Sequence, residues 1–196
     1  MTFRQIVLKA VYPLLMLFAK NRKQAISVQN NPSQTMPPVS FYSMNITAND
    51  GTAVSLAAFS GKKILICNTA SDCGYTAQYA DLETLYRQYG DTLVVIGFPA
   101  NDFKGQEPLD DAGIAQFCQL HFGVSFPLAQ KSQVVKGPGQ HPVFKWLTDP
   151  KQNGWCSQEP TWNFCKYLIS ETGMLEAFFA QNVSPLSDEV IGAVVK

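Results

Sequence analysis

Two short apolar runs, KKILICNTA and TLVVIGFPA, constrain the fold of this chain more than any other feature. Each is apolar at consecutive rather than alternate positions, the pattern of a strand buried on both faces. Between them Tyr79, Leu82, Leu85, Tyr86 and Tyr89 recur at helical spacing across residues 75–89. Strand, helix and strand in that order read as a parallel βαβ unit from Ile64 to Gly97, right-handed like nearly all such crossovers. A sheet of this kind needs cover on both faces.

The flanking segments extend the pattern. FYSMNITANDGTAVSL predicts two short strands turning at Asn49-Asp50-Gly51. Asp110 and Asp111 can cap a helix reaching about His121, with Ile114, Phe117, Cys118 and His121 on one stripe. FPLAQ reads as a short strand and HPVFKWL as a helical turn or two. NFCKYLISETGMLEAFF reads as a second hairpin turning at Glu171-Thr172-Gly173, and Ser184 as the cap of a last helix. The fold class is α/β: a mixed central sheet flanked by helices, with an N-terminal β-hairpin. That order resembles the thioredoxin-like arrangement.

At 196 residues the chain suits one substantial domain. Residues 24–39, QAISVQNNPSQTMPPV, are polar and proline-bearing and read as a linker, so the domain is expected from Ser40 to Lys196. Residues 1–23 differ in character. An apolar stretch from Ile6 to Ala19, broken by Lys9 and Pro13, is flanked by Arg4 and by Lys20, Arg22 and Lys23. It is shorter than the ~20 apolar residues of a spanning helix. Three readings stay open: a signal-peptide core, a membrane-associated helix making contact through residues 6–19, and a surface helix. Localisation stays open with them, between cytoplasmic, membrane-associated and exported.

The 15 basic and 15 acidic side chains balance, which gives no electrostatic reason to expect a nucleic-acid partner. The five cysteines, Cys67, Cys73, Cys118, Cys156 and Cys165, are odd in number and contain no CxxC pair. That argues against a secreted disulfide scaffold and against a zinc site. No metal or other cofactor is expected.

Cys73 is the residue with chemical promise. It follows a buried strand and precedes a helix, and active sites of open α/β sheets lie at such strand ends. Unpaired N–H groups at a helix start favour a thiolate, whereas the neighbouring Asp72 disfavours it. Thr76 occupies the position where thioredoxin-like redox proteins carry a second cysteine, and no histidine base is placed by sequence. Cys67 lies inside the strand and reads as a small buried hydrophobe. Gln106, in FPANDFKGQEP, and Trp162-Asn163, in TWNFCKY, are polar groups in apolar company. Their amide and indole N–H groups could serve a thiolate as neutral donors. By spacing alone each reads equally as a turn or core residue.

NTASDCGYTAQY, GFPANDFKGQEP and TWNFCKY, in this order, resemble the three signature blocks of the glutathione peroxidase family. The resemblance spans roughly Ser40 to Lys196 and implies a thiol peroxidase that reduces hydrogen peroxide and organic hydroperoxides. It assigns Cys73 to the peroxidatic position and Gln106, Trp162 and Asn163 to the rest of a catalytic tetrad. Cys118 resembles the resolving cysteine of members that use thioredoxin, although its apolar stripe also suits a core residue. Ala100 and Asp102 depart from the family pattern. No counterpart is visible of the basic residues that bind glutathione in tetrameric animal members, nor of their oligomerisation insertion. Thioredoxin is therefore the preferred reductant over glutathione, and a monomer is expected. A non-catalytic redox sensor and a thiol–disulfide oxidoreductase are the alternatives, the latter disfavoured by Thr76.

Overall fold

The two apolar runs form the parallel pair expected of them. The computed structural model describes residues 27–196, so the leader expected over 1–23 lies outside the described residues. In chain order the elements are β1 (Val28–Asn30), β2 (Asn45–Thr47), β3 (Ala53–Ser55), β4 (Lys63–Thr69), α1 (Gln78–Tyr89), β5 (Leu93–Pro99), α2 (Asp111–Phe122), α3 (Pro142–Leu147), α4 (Pro150–Asn153), β6 (Lys166–Ile169), β7 (Leu175–Phe179) and α5 (Asp188–Val194). Two 3₁₀ turns, Phe41–Ser43 and Leu56–Phe59, flank the β2–β3 hairpin.

The central sheet runs β1-β7-β6-β4-β5. β4 and β5 are parallel, Ile64 opposite Val94 through Thr69 opposite Pro99, and the remaining pairs are antiparallel. Every residue of β4 and β5 is buried, which is why both carry an unbroken apolar run, with the buried polar Lys63, Asn68 and Thr69 towards the ends of β4. Alternation then divides the core. Leu65 and Cys67 join Tyr79 and Leu82 of α1, Ile114 and Cys118 of α2 and Val190 of α5 on one face. Ile64 and Ile66 join Phe41, Ile46, Leu56, Phe144 and Trp146 on the other.

The β2–β3 hairpin turns where Asn49-Asp50-Gly51 predicts, with Gly51 at φ 88°. It forms its own two-stranded sheet. FPLAQ makes only isolated bridges, Leu128 to Gly97 and Ala129 to Ala48. The approach is close: a Cβ on Gly97 would lie 2.7 Å from Leu128 Cδ2. The last helix begins later than Ser184 implies. Ser187 is its cap, accepting from Val190 N, while Ser184 Oγ donates to Asp81.

The expected linker needs correction. Val28–Asn30, within 24–39, pairs antiparallel with Phe179–Ala177 as an edge strand. Ala180 N donates to Ser27 O, Asn31 Nδ2 donates to Leu175 O, and the buried Trp146 donates its indole N–H to Val39 O. The ordered fold thus extends back from Ser40 to Ser27. Three residues are too few to show a period, and the unpaired edge of β7 supplies what the local sequence does not. A chain beginning at Ser27 is expected to melt with the full-length protein. One beginning at Ser40 loses about 2 kcal/mol, or ~4–8 °C in Tm, because these bonds go with it. Thermal denaturation of the two truncations decides this, and equal Tm values would return 27–39 to the status of a linker.

Candidate active site

Cys73 sits where β4 ends, in a run of turns that leads into α1. Thr76 N donates to Cys73 O, and Gln78, Tyr79 and Ala80 each donate to the carbonyl three residues back. The regular helix starts only at Gln78. Thr76 shapes this loop: its hydroxyl donates to Ala70 O at 3.0 Å and accepts from Cys73 N at 3.0 Å. The position that houses a second thiol in thioredoxin-like redox proteins is therefore a structural hydroxyl. Tyr75 N points at Cys73 Sγ from 3.5 Å, one N–H already directed at the sulfur.

All five cysteines are free thiols, and Cys73 alone is partly exposed. Burial pushes the Cys67 thiol up to about 12 and the Cys118 thiol up to about 11, so both are protonated at neutral pH. Cys156 and Cys165 are buried as well. A reagent arriving from solvent meets Cys73 first.

The Gln106 loop comes to Cys73 through the main chain. Asp72 N donates to Gln106 O at 2.9 Å. Next to it, Glu107 is fully buried and takes two bonds from Ser71, from N at 2.9 Å and from Oγ at 2.7 Å. The loop itself turns through two left-handed residues, Lys104 at φ 56° and Gly105 at φ 66°. Asp102, one of the two departures from the family block, braces the loop by accepting at Oδ2 from Val134 N at 2.7 Å, whereas Ala100 contributes only its main-chain bond to Thr69 O.

Trp162 and Asn163 reach the same place by a different device. Phe164 adopts φ 68°, rare for a residue of its size, and this kink sends its ring into the core beside Tyr79. The fully buried Asn68, the sixth residue of β4, staples the segment: Nδ2 donates to Trp162 O and Oδ1 accepts from Cys165 N. Asn163, also fully buried, donates from Nδ2 to Gln106 Oε1 at 2.9 Å. With its oxygen engaged, the Gln106 amide has its NH2 group left to donate. Trp162 is half-buried, with Phe103 at 5.7 Å between ring centroids and the Lys104 ammonium 5.5 Å above its ring.

One bonded chain therefore links the Cys73 loop, Gln106 and Asn163, with Trp162 beside it. Cys118 stands apart in the middle of α2, where its carbonyl accepts from Gly123 N and Val124 N to close the helix end. His141 caps α3 and packs on Phe98, and His121 packs against Phe117, which fits structural roles for both. Among the described residues no cluster of three metal-ligating side chains occurs. Sequence reasoning missed Asn68, Ser71 and Glu107. Asn68 could have been flagged as a lone amide inside an apolar strand, and Glu107 as an acid beside Gln106.

The chain matches the family model described as glutathione peroxidase over residues 41–148. It is 43% identical over 148 residues to the "Glutathione peroxidase-like peroxiredoxin GPX5" of Chlamydomonas reinhardtii, covering 75% of this chain and 90% of that one. It is 39% identical over 163 residues to the "Hydroperoxy fatty acid reductase gpx1" of Synechocystis, covering 79% and 94%. Among solved structures, "Crystal structure of Trgpx in apo form" matches with TM-score 0.61 and 32% identity, covering 81% of this chain and 97% of that one. A DsbF homologue from Corynebacterium diphtheriae reaches TM-score 0.61 at 15% identity, covering 89% and 95%, a likeness of fold alone. The thioredoxin-like fold, the three sequence blocks and these relatives agree: this chain belongs to the glutathione peroxidase family and is a thiol peroxidase.

Proposed function

We propose that this peroxidase reduces hydrogen peroxide and organic hydroperoxides through Cys73, with a thioredoxin-type dithiol as its reductant. The observation that carries the site is the contrast among the thiols: four are buried, and the fifth lies on a loop bonded to Gln106 and through it to Asn163. The Cys73 thiolate attacks the terminal oxygen of the hydroperoxide, the O–O bond breaks, and the leaving oxygen takes a proton to become water or alcohol. Gln106 NH2 and the Trp162 indole N–H donate to the oxygen on which charge develops, and Asn163 holds Gln106 for that task. Cys73 is left as a sulfenic acid. The Cys118 thiol then condenses with it, forming the disulfide and releasing water, and the external dithiol reduces the disulfide.

Resolution by Cys118 requires α2 to open, because its thiol is buried and its carbonyl anchors the helix end. Segments open well below the cost of global unfolding. A surface cavity of about 300 Å³ between the hairpin turn and α2, lined in part by Ala48, Asn49 and Cys118, leaves room beside that helix. Cys118→Ser is expected to spare the first oxidation of Cys73 and to stop thioredoxin-dependent cycling, with the sulfenic acid persisting and overoxidising. Peptide mapping after one equivalent of peroxide should find the Cys73–Cys118 disulfide in the unaltered protein. Normal cycling of the serine variant would return Cys118 to the core. Turnover with thioredoxin and with glutathione in parallel tests the reductant, and a faster rate with glutathione would overturn the thioredoxin preference.

Membrane contact through residues 6–19 belongs to this reading. Among the described residues no helix is long and apolar enough to cross a membrane. Val28 pairs with Phe179, Phe179 with Lys166 and Lys166 with Cys67, so the chain enters the fold at the sheet end that carries Cys73. Contact by the leader brings that end to the lipid. Fractionation of the full chain tests it: protein that retains its initial residues and floats with no vesicle fraction rejects the contact. A monomer is part of the same proposal, and sedimentation of the purified chain checks it.

A further inference from the structure

We propose that Glu107 is a positioning residue for the peroxidatic thiol, docking the Cys73 loop onto the Gln106 loop by a two-bond clamp on Ser71. The inference rests on the assignment of Cys73 as the reacting thiol.

Two separate devices act on the Cys73 loop. Thr76 works within it, bonding Ala70 O and Cys73 N, and thereby sets its shape. That bond says nothing about where the loop lies relative to the amide that must meet the same peroxide. Three bonds across the gap do. Ser71 N and Ser71 Oγ each donate to one oxygen of the Glu107 carboxylate, and Asp72 N donates to Gln106 O. Glu107 is itself fixed from behind, its own N donating to Asn101 Oδ1 at 2.9 Å. The residues just before the thiol are thus lashed to Gln106 and its immediate neighbour.

The carboxylate is a costly way to make this connection. Glu107 is fully buried, and burial pushes its carboxyl up from the usual range even though Ser71 and Lys131 pull it down. A carboxylate has two acceptor oxygens in one plane and no donor, so it can receive both N–H and O–H of one serine at once. The benefit is geometric. A misplacement of about 1 Å between reacting groups can cost on the order of a hundredfold in rate.

Glutamine at this position separates geometry from charge. Its carbonyl oxygen can accept from Ser71 N while its amide donates to Ser71 Oγ, whose hydroxyl turns round to accept. Glu107→Gln therefore keeps two bonds and removes the charge, whereas Glu107→Ala removes both bonds. Two single-turnover rates are measured on the reduced full-length chain: oxidation of Cys73 by hydrogen peroxide and its alkylation by iodoacetamide. Alkylation needs the thiolate and access to it, and has no use for Gln106.

Glu107→Ala is expected to slow peroxide oxidation about tenfold or more while alkylation stays within about threefold. Glu107→Gln should restore oxidation to within about threefold of the unaltered protein, and Ser71→Ala should fall between the two. The proposal is overturned if Glu107→Ala leaves oxidation unchanged, or slows both reactions alike. It is also overturned if Glu107→Gln is as slow as Glu107→Ala, since charge and not docking would then matter. Should the alanine variant fail to fold, Ser71→Ala decides: a peroxide-selective loss supports the clamp and an unchanged rate rejects it. The assignment of Cys73 fails by a different result, residual turnover in Cys73→Ser, which none of these variants can mimic.

Discussion

Cys73→Ser is expected to abolish peroxide turnover, a loss of about a thousandfold or more, while the protein keeps its fold. The chemical side is simple. A hydroxyl at neutral pH supplies no anion comparable to a thiolate, and no histidine base stands by to make one. The other four thiols cannot substitute, being buried. On the structural side little changes. Cys73 is held by its main chain, N–H to Thr76 Oγ1 and carbonyl from Thr76 N, and serine keeps both bonds. Tyr75 N, now directed at sulfur, can donate to the new hydroxyl instead. Stability should therefore shift by only about 0.5 kcal/mol, as for other partly exposed positions. Steady-state turnover and thermal denaturation of the same preparation give the two readings. Substantial activity in the serine variant would remove Cys73 from the chemistry.

The second large effect concerns the donors. Gln106→Ala is expected to slow oxidation of Cys73 by about ten- to a thousandfold, the range of single transition-state donors, and Asn163→Ala to fall in the same range because it releases that donor. Trp162→Phe isolates the indole N–H while the packing on Phe103 is largely kept. The sharper variant is Asn163→Asp. Asn163 gives its Nδ2 to Gln106 Oε1, which leaves the glutamine NH2 free to serve the peroxide. A carboxylate there can only accept, so the Gln106 amide turns over to donate to it. Its carbonyl oxygen then faces the reacting centre, where a developing negative charge meets a repulsive dipole. Asn163→Asp should consequently be slower than Asn163→Ala, although it is the closer replacement in size. Stopped-flow oxidation of the reduced protein measures the order. If the aspartate variant oxidises as fast as the alanine one, Asn163 does not act through Gln106, and unchanged rates throughout would leave the tetrad as architecture.

Most of the frame was legible in the chain because the reasons for it are local or periodic. A strand buried on both faces is apolar at consecutive positions, so the runs ILIC and LVVIGF announce β4 and β5, while the buried Lys63, Asn68 and Thr69 lie towards the ends of β4. Asn49-Asp50-Gly51 can turn a hairpin because Gly51 accepts φ 88° without strain. Asp110 caps α2 through Gly113 N, a bond spanning three residues. Cys73 follows from the same logic, since the end of a buried strand before a helix is where such sheets carry reactive groups.

What joins the site is of another kind. Ser71 meets Glu107 across 36 residues, Asn163 meets Gln106 across 57, and Asn68 meets Cys165 across 97. These bonds exist because the registers of β4 with β5 and with β6, and left-handed kinks at Lys104 and Phe164, bring distant polar groups to one strand end. The Phe164 kink has no glycine to advertise it, Gly105 marks only the other, and no period runs through residues that far apart. β1 is absent from the sequence pattern for a related reason: its place is set by the open edge of β7, not by its own three residues. Local preference and periodicity determined the strands, the crossover and the position of the thiol. The three sequence blocks named Gln106, Trp162 and Asn163 by resemblance, whereas only the tertiary structure decided that Asn163 bonds Gln106 and that Glu107 bonds Ser71, because hydrogen bonds between distant residues are a property of the packed chain.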